Sequence, residues 1–133
     1  MVGMTNTTYK DILSSFQSLP QSKYLLLDGL IKQWFIDALG EYELEIDELA
    51  YDDELEIFDT KLARYQIKTI ALIMYTYYLT RELSRAEKLS GINGKDISIT
   101  GGDESKRITK ADLELQMAKA KDMLDKQMQR CHA

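Results

Sequence analysis

The stretch that most constrains this chain is Thr69–Thr80, twelve residues without a charge between Lys68 and Arg81. Its centre, Ile70-Ala71-Leu72-Ile73-Met74-Tyr75-Thr76-Tyr77-Tyr78-Leu79, is apolar on nearly every side of a helix. Twelve residues cannot cross a bilayer, which takes about 20. A helix apolar all round is buried in a core or in an assembly, and in a chain of only 133 residues assembly is a real option. The expected helix runs from about Thr60 to Ser90, stopped by Gly91 and Asn93-Gly94.

Glycine and proline together make up eight of the 133 residues, below the average usage of about 12%. That disfavours a turn-rich all-β fold and predicts an all-α one: a small bundle of three to four helices in a single domain over 1–133. Residues 1–7 are polar and expected to fray. Thr8 to about Gln17 places Tyr9, Ile12, Leu13 and Phe16 on one helical face. Pro20 ends that helix and opens the next, read as residues 21–39 with Tyr24, Leu27, Ile31, Trp34 or Phe35, and Ala38 or Leu39 inward, and Gly40 as its stop. Gly29 inside it reads as the mark of a close helix crossing.

Residues 41–58 alternate charged and apolar side chains and read as an extended acidic connection, with room for a short strand near 42–46. Residues 91–107 read as a long polar loop, with Ile97 and Ile99 allowing a short strand near 96–100. The last helix is expected to open at Thr109 as N-cap, with Asp112 three residues on. Its amphipathic stripe is Leu113, Met117, Ala120, Leu124, Met128 and Cys131.

Charge is uneven. Residues 40–60 hold ten acids and no base, residues 1–39 balance three against three, and residues 61–133 carry fourteen bases and nine acids, for a net charge of −5. An acidic block of this kind is a solvated connection, a docking face for a basic partner, or a wall that repels an anion. A calcium loop fails on spacing, since no D-x-[DN]-x-[DN]-G run is present. One cysteine, Cys131, excludes an internal disulfide. Residues 1–15 lack the basic start and apolar run of a secretory leader, so a soluble chain made in a reducing compartment is expected.

Catalytic chemistry is nearly absent from the pattern. The single histidine, His132, adjoins Cys131 at the end of the chain, where no rigid base, orienting group and oxyanion site can be arranged. One His and one Cys fall short of a metal site, and neither G-x-x-x-x-G-K-[ST] nor G-x-G-x-x-G occurs. A non-enzymatic protein with no cofactor and no metal is expected. The tyrosines Tyr65, Tyr75, Tyr77 and Tyr78 read as core with rim-reaching hydroxyls, or as an interface.

The run Asp52-Asp53-Glu54-Leu55-Glu56-Ile57-Phe58, then Leu62, then Ile67-Lys68-Thr69-Ile70-Ala71-Leu72-Ile73-Met74, resembles a pattern in small virion proteins of tailed bacteriophages. Lys95-Asp96-Ile97-Ser98 matches the short element that follows in them, and Lys110 to Gln129 their charged terminal helix. The resemblance spans about residues 50–130; Tyr77-Tyr78 replace the usual aromatic or Trp, and no acidic cap follows Leu62. It implies a head–tail connector, or neck adaptor: a homo-oligomeric ring, typically twelve-fold, below the portal protein that receives a stopper or tail-completion protein on its other side. Such a protein is made in the host cytoplasm and resides in the virion neck, with no membrane contact. On that reading the portal contact falls to Leu113, Met117, Leu124 and Met128, and the subunit contact to Tyr75, Tyr77 and Tyr78. The acids Glu43, Glu45, Asp52 and Asp53 would line a lumen through which DNA passes without specific binding. The alternatives are a regulatory protein-binding module with an acidic docking face, and a DNA-binding domain using Lys106, Arg107, Lys110, Lys119, Lys121, Lys126 and Arg130. Interleaved Asp112, Glu114, Asp122 and Asp125 weigh against the last.

Overall fold

The uncharged run lies near the start of a long helix, α3 (Arg64–Ile92), and the rest of the molecule is arranged to cover it. The computed structural model describes residues 6–21, 26–92 and 100–131, with side chains over 6–21, 26–85 and 109–128. Before α3 come α1 (Tyr9–Gln17), α2 (Asp28–Glu45) and a two-stranded antiparallel ribbon, β1 (Tyr51–Asp52) and β2 (Ile57–Phe58); after it comes α4 (Thr100–Cys131). The fold is all-α, as the sequence predicts.

α3 and α4, of 29 and 32 residues, are about 43 and 48 Å long at 1.5 Å per residue. They run antiparallel: Thr69 meets Gln127, and Glu82 lies near Thr109 and Asp112. α1 and α2 also pack on α3. From Thr69 to Leu79 every α3 side chain except Tyr77 is buried. A single chain therefore sheathes its own apolar helix, and assembly is not needed to cover it.

Local chemistry explains most boundaries. α1 opens at Thr8 with a reciprocal capping box: the Asp11 amide donates to Thr8 Oγ1 (3.4 Å) and the Thr8 amide to Asp11 Oδ2 (2.9 Å). Tyr9, Ile12 and Phe16 are buried on its inner face. Residue 7 is not frayed. Thr7 is buried, its backbone pairs with Phe58 and Thr60, and its hydroxyl accepts from the Leu62 amide at 2.8 Å.

α2 differs from expectation at both ends. It starts at Asp28 rather than 21, with Leu27 as an exposed N-cap, and Tyr24 lies outside the described residues. It also runs through Gly40 to Glu45, because Tyr42 must bury its ring against α3 and α4. Its hydroxyl donates to Gln127 Oε1 (2.6 Å), and Gln127 Nε2 donates to Thr69 Oγ1 (2.6 Å). The alternation at 42–46 is thus helical: Tyr42 and Ile46 share a face while Leu44 is 85% exposed. Gly29 marks no crossing, since nothing lies within 4 Å of where its Cβ would be.

α4 begins at Thr100, so the expected loop over 91–107 is helical from 100 onward and through Gly91 and Ile92; residues 93–99, with most of the second expected strand, lie outside the described residues. Thr109 is inside the helix, not its N-cap.

Gly40 sits in a helix interior with open space at its Cβ position. Gly40→Ala is expected to stabilise the fold by about 0.5–1 kcal/mol, read as a higher urea midpoint; a glycine ending a helix would respond with a loss. Tyr42→Phe, which strands the buried Gln127 amide oxygen, is expected to cost about 1–3 kcal/mol in the same measurement.

Candidate functional site

Two acids of the acidic block, Asp53 and Glu56, close on one cation. Lys32 of α2 places its ammonium 4.3 Å from the centre of the Tyr9 ring and within 6 Å of those of Phe35 and Tyr51. It bonds Glu56 Oε2 (2.5 Å) and Tyr51 Oη (3.1 Å) and pairs with Asp53 Oδ1 (3.3 Å). Burial pulls the lysine pKa down, but the bonds to Glu56, Tyr51 and Asp53 outweigh it and hold the group above its ordinary value. The ribbon turn itself is built by Asp52, whose Oδ1 accepts from the Glu54 and Leu55 amides, and by Glu56, which takes a left-handed φ of 54°. Phe35, Tyr51 and Phe58 interlock beneath it.

Around the ribbon Glu43, Glu48, Asp52, Asp53, Glu54 and Asp59 line one broad open depression. Three of the four expected lumen acids, Glu43, Asp52 and Asp53, thus share a surface; Glu43 also accepts from the Leu49 amide at 2.8 Å. The fourth, Glu45, lies on a different groove.

That second groove, of about 310 Å³, lies between the end of α2, α3 and α4. Ile73, Ala120 and Leu124 form its floor, Leu44 and Met117 its apolar rim, and Glu41, Glu45 and Asp125 its acidic edge, with Lys121 as the lone cation. Met117 is 55% exposed. Of the four residues assigned to the portal contact, Met117 and Leu124 line this groove. Leu113 packs against the core and Met128 is half-buried. Leu44 was missed in the sequence because the alternating pattern around it reads as strand.

The tyrosines assigned to the subunit contact are spent inside one chain. Tyr75 and Tyr78 are buried and stack with ring centres 5.6 Å apart, and Tyr75 Oη donates to the Pro20 carbonyl at 2.6 Å. Tyr77 is half-buried and donates to the Glu41 carboxylate. Neither Tyr75 nor Tyr78 has surface to offer a neighbour, because Tyr78 packs on Phe16 of α1 and Trp34 of α2 while Tyr75 lies between Pro20 and Asp112 of α4. Burial, with Asp112 and Tyr78 nearby, pushes the Tyr75 hydroxyl up to about 12. Burial and the bond to Glu41 raise Tyr77 further, and burial raises Tyr9 and Tyr51.

Among the described residues no three His, Cys, Asp or Glu side chains converge on a metal position, and no helix is long and apolar enough to cross a membrane. Cys131 and His132 lie outside the described side chains. No protein-family model, curated protein or solved structure matches the chain.

Lys32→Met keeps the stem against the rings and removes the charge; it is expected to cost about 1–2 kcal/mol and to speed amide exchange at Phe58 but not at Met74. Lys32 and the four tyrosines all lie above their ordinary values, so their contribution to stability is complete below their unfolded values and is lost as pH rises through the folded ones. The thermal midpoint is therefore expected to fall once pH exceeds about 10, with a late tyrosinate absorbance rise marking the same transition.

Proposed function

We propose that this chain is a non-enzymatic connector of a tailed-phage neck, a ring-forming adaptor below the portal that joins capsid to tail. The observation that supports the reading most is the groove at Leu44 and Met117. Each subunit closes its own core and yet leaves large apolar side chains at the rim of a preformed groove, which is the signature of a surface awaiting a protein partner. The resemblance over residues 50–130 supplies the class of partner, and the groove is the surface we assign to the portal. Glu43, Glu48, Asp52 and Asp59 of the ribbon depression, repeated around a ring, would repel passing DNA rather than hold it.

The same depression favours a second reading, a regulatory module that docks one basic protein there. The two differ in where the chain is found. The connector reading expects the chain in purified virions, with antibody label at the neck. It also expects Met117→Glu to yield filled heads that fail to retain tails, while the isolated variant melts within about 2 °C of the parent because the position is exposed. Absence of the chain from virions would contradict it.

A further inference from the structure

α2 carries different surroundings on its two flanks. Leu30, Trp34, Asp37 and Glu41 lie on one side, facing α3; Lys32, Phe35, Leu39 and Glu43 lie on the other, facing the acidic ribbon. At 100° per residue the centres of these two sets are about 180° apart around the helix. The ribbon projects from the second flank, and its turn exposes a leucine: Leu55 is 73% exposed, beside the exposed carboxylate of Glu54. Asp53 and Glu56, by contrast, are tied down by Lys32. On the first flank is a groove of about 540 Å³ between α2 and α3. Its floor is Leu30, Trp34 and Tyr77, and its α3 rim carries Arg81 and Arg85. Among the described residues Arg81 has no ion-pair partner, while Arg85 pairs with Glu82 at 3.2 Å.

The geometry points to a head-to-tail contact between copies of this chain, in which the ribbon turn of one copy seats in the α2–α3 groove of the next. Leu55 covers the apolar floor and Glu54 meets Arg81. The acid has one favourable direction, towards α3, because the α2 side of the groove holds Asp37. An apolar tip with an acidic neighbour matches an apolar floor with an arginine rim. Because projection and groove lie on opposite flanks of one helix, each copy can give to one neighbour and receive from the other. Such an interface is heterologous and closes into a ring when the rotation per copy divides a full turn. The seat is small, so copies associate weakly in solution and join when a template raises their effective concentration. The inference rests on the connector reading and names its subunit contact, in place of Tyr75 and Tyr78.

The test uses Leu55→Cys with Ser84→Cys in a Cys131→Ser chain, added to purified portal rings and then oxidised. A ladder of covalent multimers that neither single-cysteine chain forms is the expected result. Rings that assemble on the portal in a fixed ratio but give no ladder would overturn this contact and leave the connector reading standing. A chain that never joins the portal would remove both. Charge reversal adds a second readout on exposed positions that do not touch the core. Glu54→Arg or Arg81→Glu alone is expected to raise the concentration needed for ring completion by about tenfold, and the two together to restore it. Failure of the pair to restore it would place Glu54 and Arg81 apart.

Discussion

Everything in this fold answers to the burial of Thr69–Leu79. A helix with apolar side chains on all sides loses most of its stabilisation unless every side is covered, and three helices do this: α1, α2 and α4. The arrangement also has to satisfy the polar atoms the run brings with it. Thr69 and Thr76 donate to carbonyls one turn back, Tyr75 reaches the Pro20 carbonyl, and Tyr42, Gln127 and Thr69 form a buried chain across three helices. Among the described residues no buried side-chain polar atom is left without a partner. The Tyr42–Gln127–Thr69 chain fixes the register of α4, since sliding α4 by a turn would break both bonds of the buried Gln127 amide.

Lys32 is the second fixed point. Ten acids within residues 40–60 repel one another, and a ribbon of two-residue strands has little intrinsic stability. One lysine held among three rings gives the turn a counter-charge and a place to dock. The ribbon becomes a defined projection rather than a solvated connection, with Leu55 at its tip. On the connector reading, the acids that Lys32 leaves uncompensated face outward and set the sign of the surface.

Much of this was legible in the sequence. The extent of the first helix and its inward face were, because Thr8, Pro20 and a clean helical spacing agree. The long apolar helix was legible too. Where sequence and structure differ, a distant contact overrides a local signal. Gly40 costs a helix about 1 kcal/mol, and burying Tyr42 against α3 and α4 outweighs it. Thr109 is a good N-cap by residue type, but a helix that begins at Thr100 leaves it in the interior. The alternation at Tyr42, Leu44 and Ile46 fits either period over so short a stretch. The candidate surfaces were half visible. Met117 and Leu124 belong to one groove, but nothing local told that Leu44 would join them, or that Lys32, twenty-four residues from Glu56, would organise the acids.

The chain closes its own core, so on the connector reading its assembly rests on surface features and not on an unfinished core. That separates it from chains that fold only as oligomers. The most direct measurement is the native mass of the purified chain, alone and mixed with an isolated portal ring. A monomer alone that joins the portal at a fixed whole-number ratio per portal subunit is the expected result. A monomer that ignores the portal at all concentrations would contradict the connector reading and favour a module with a single basic partner.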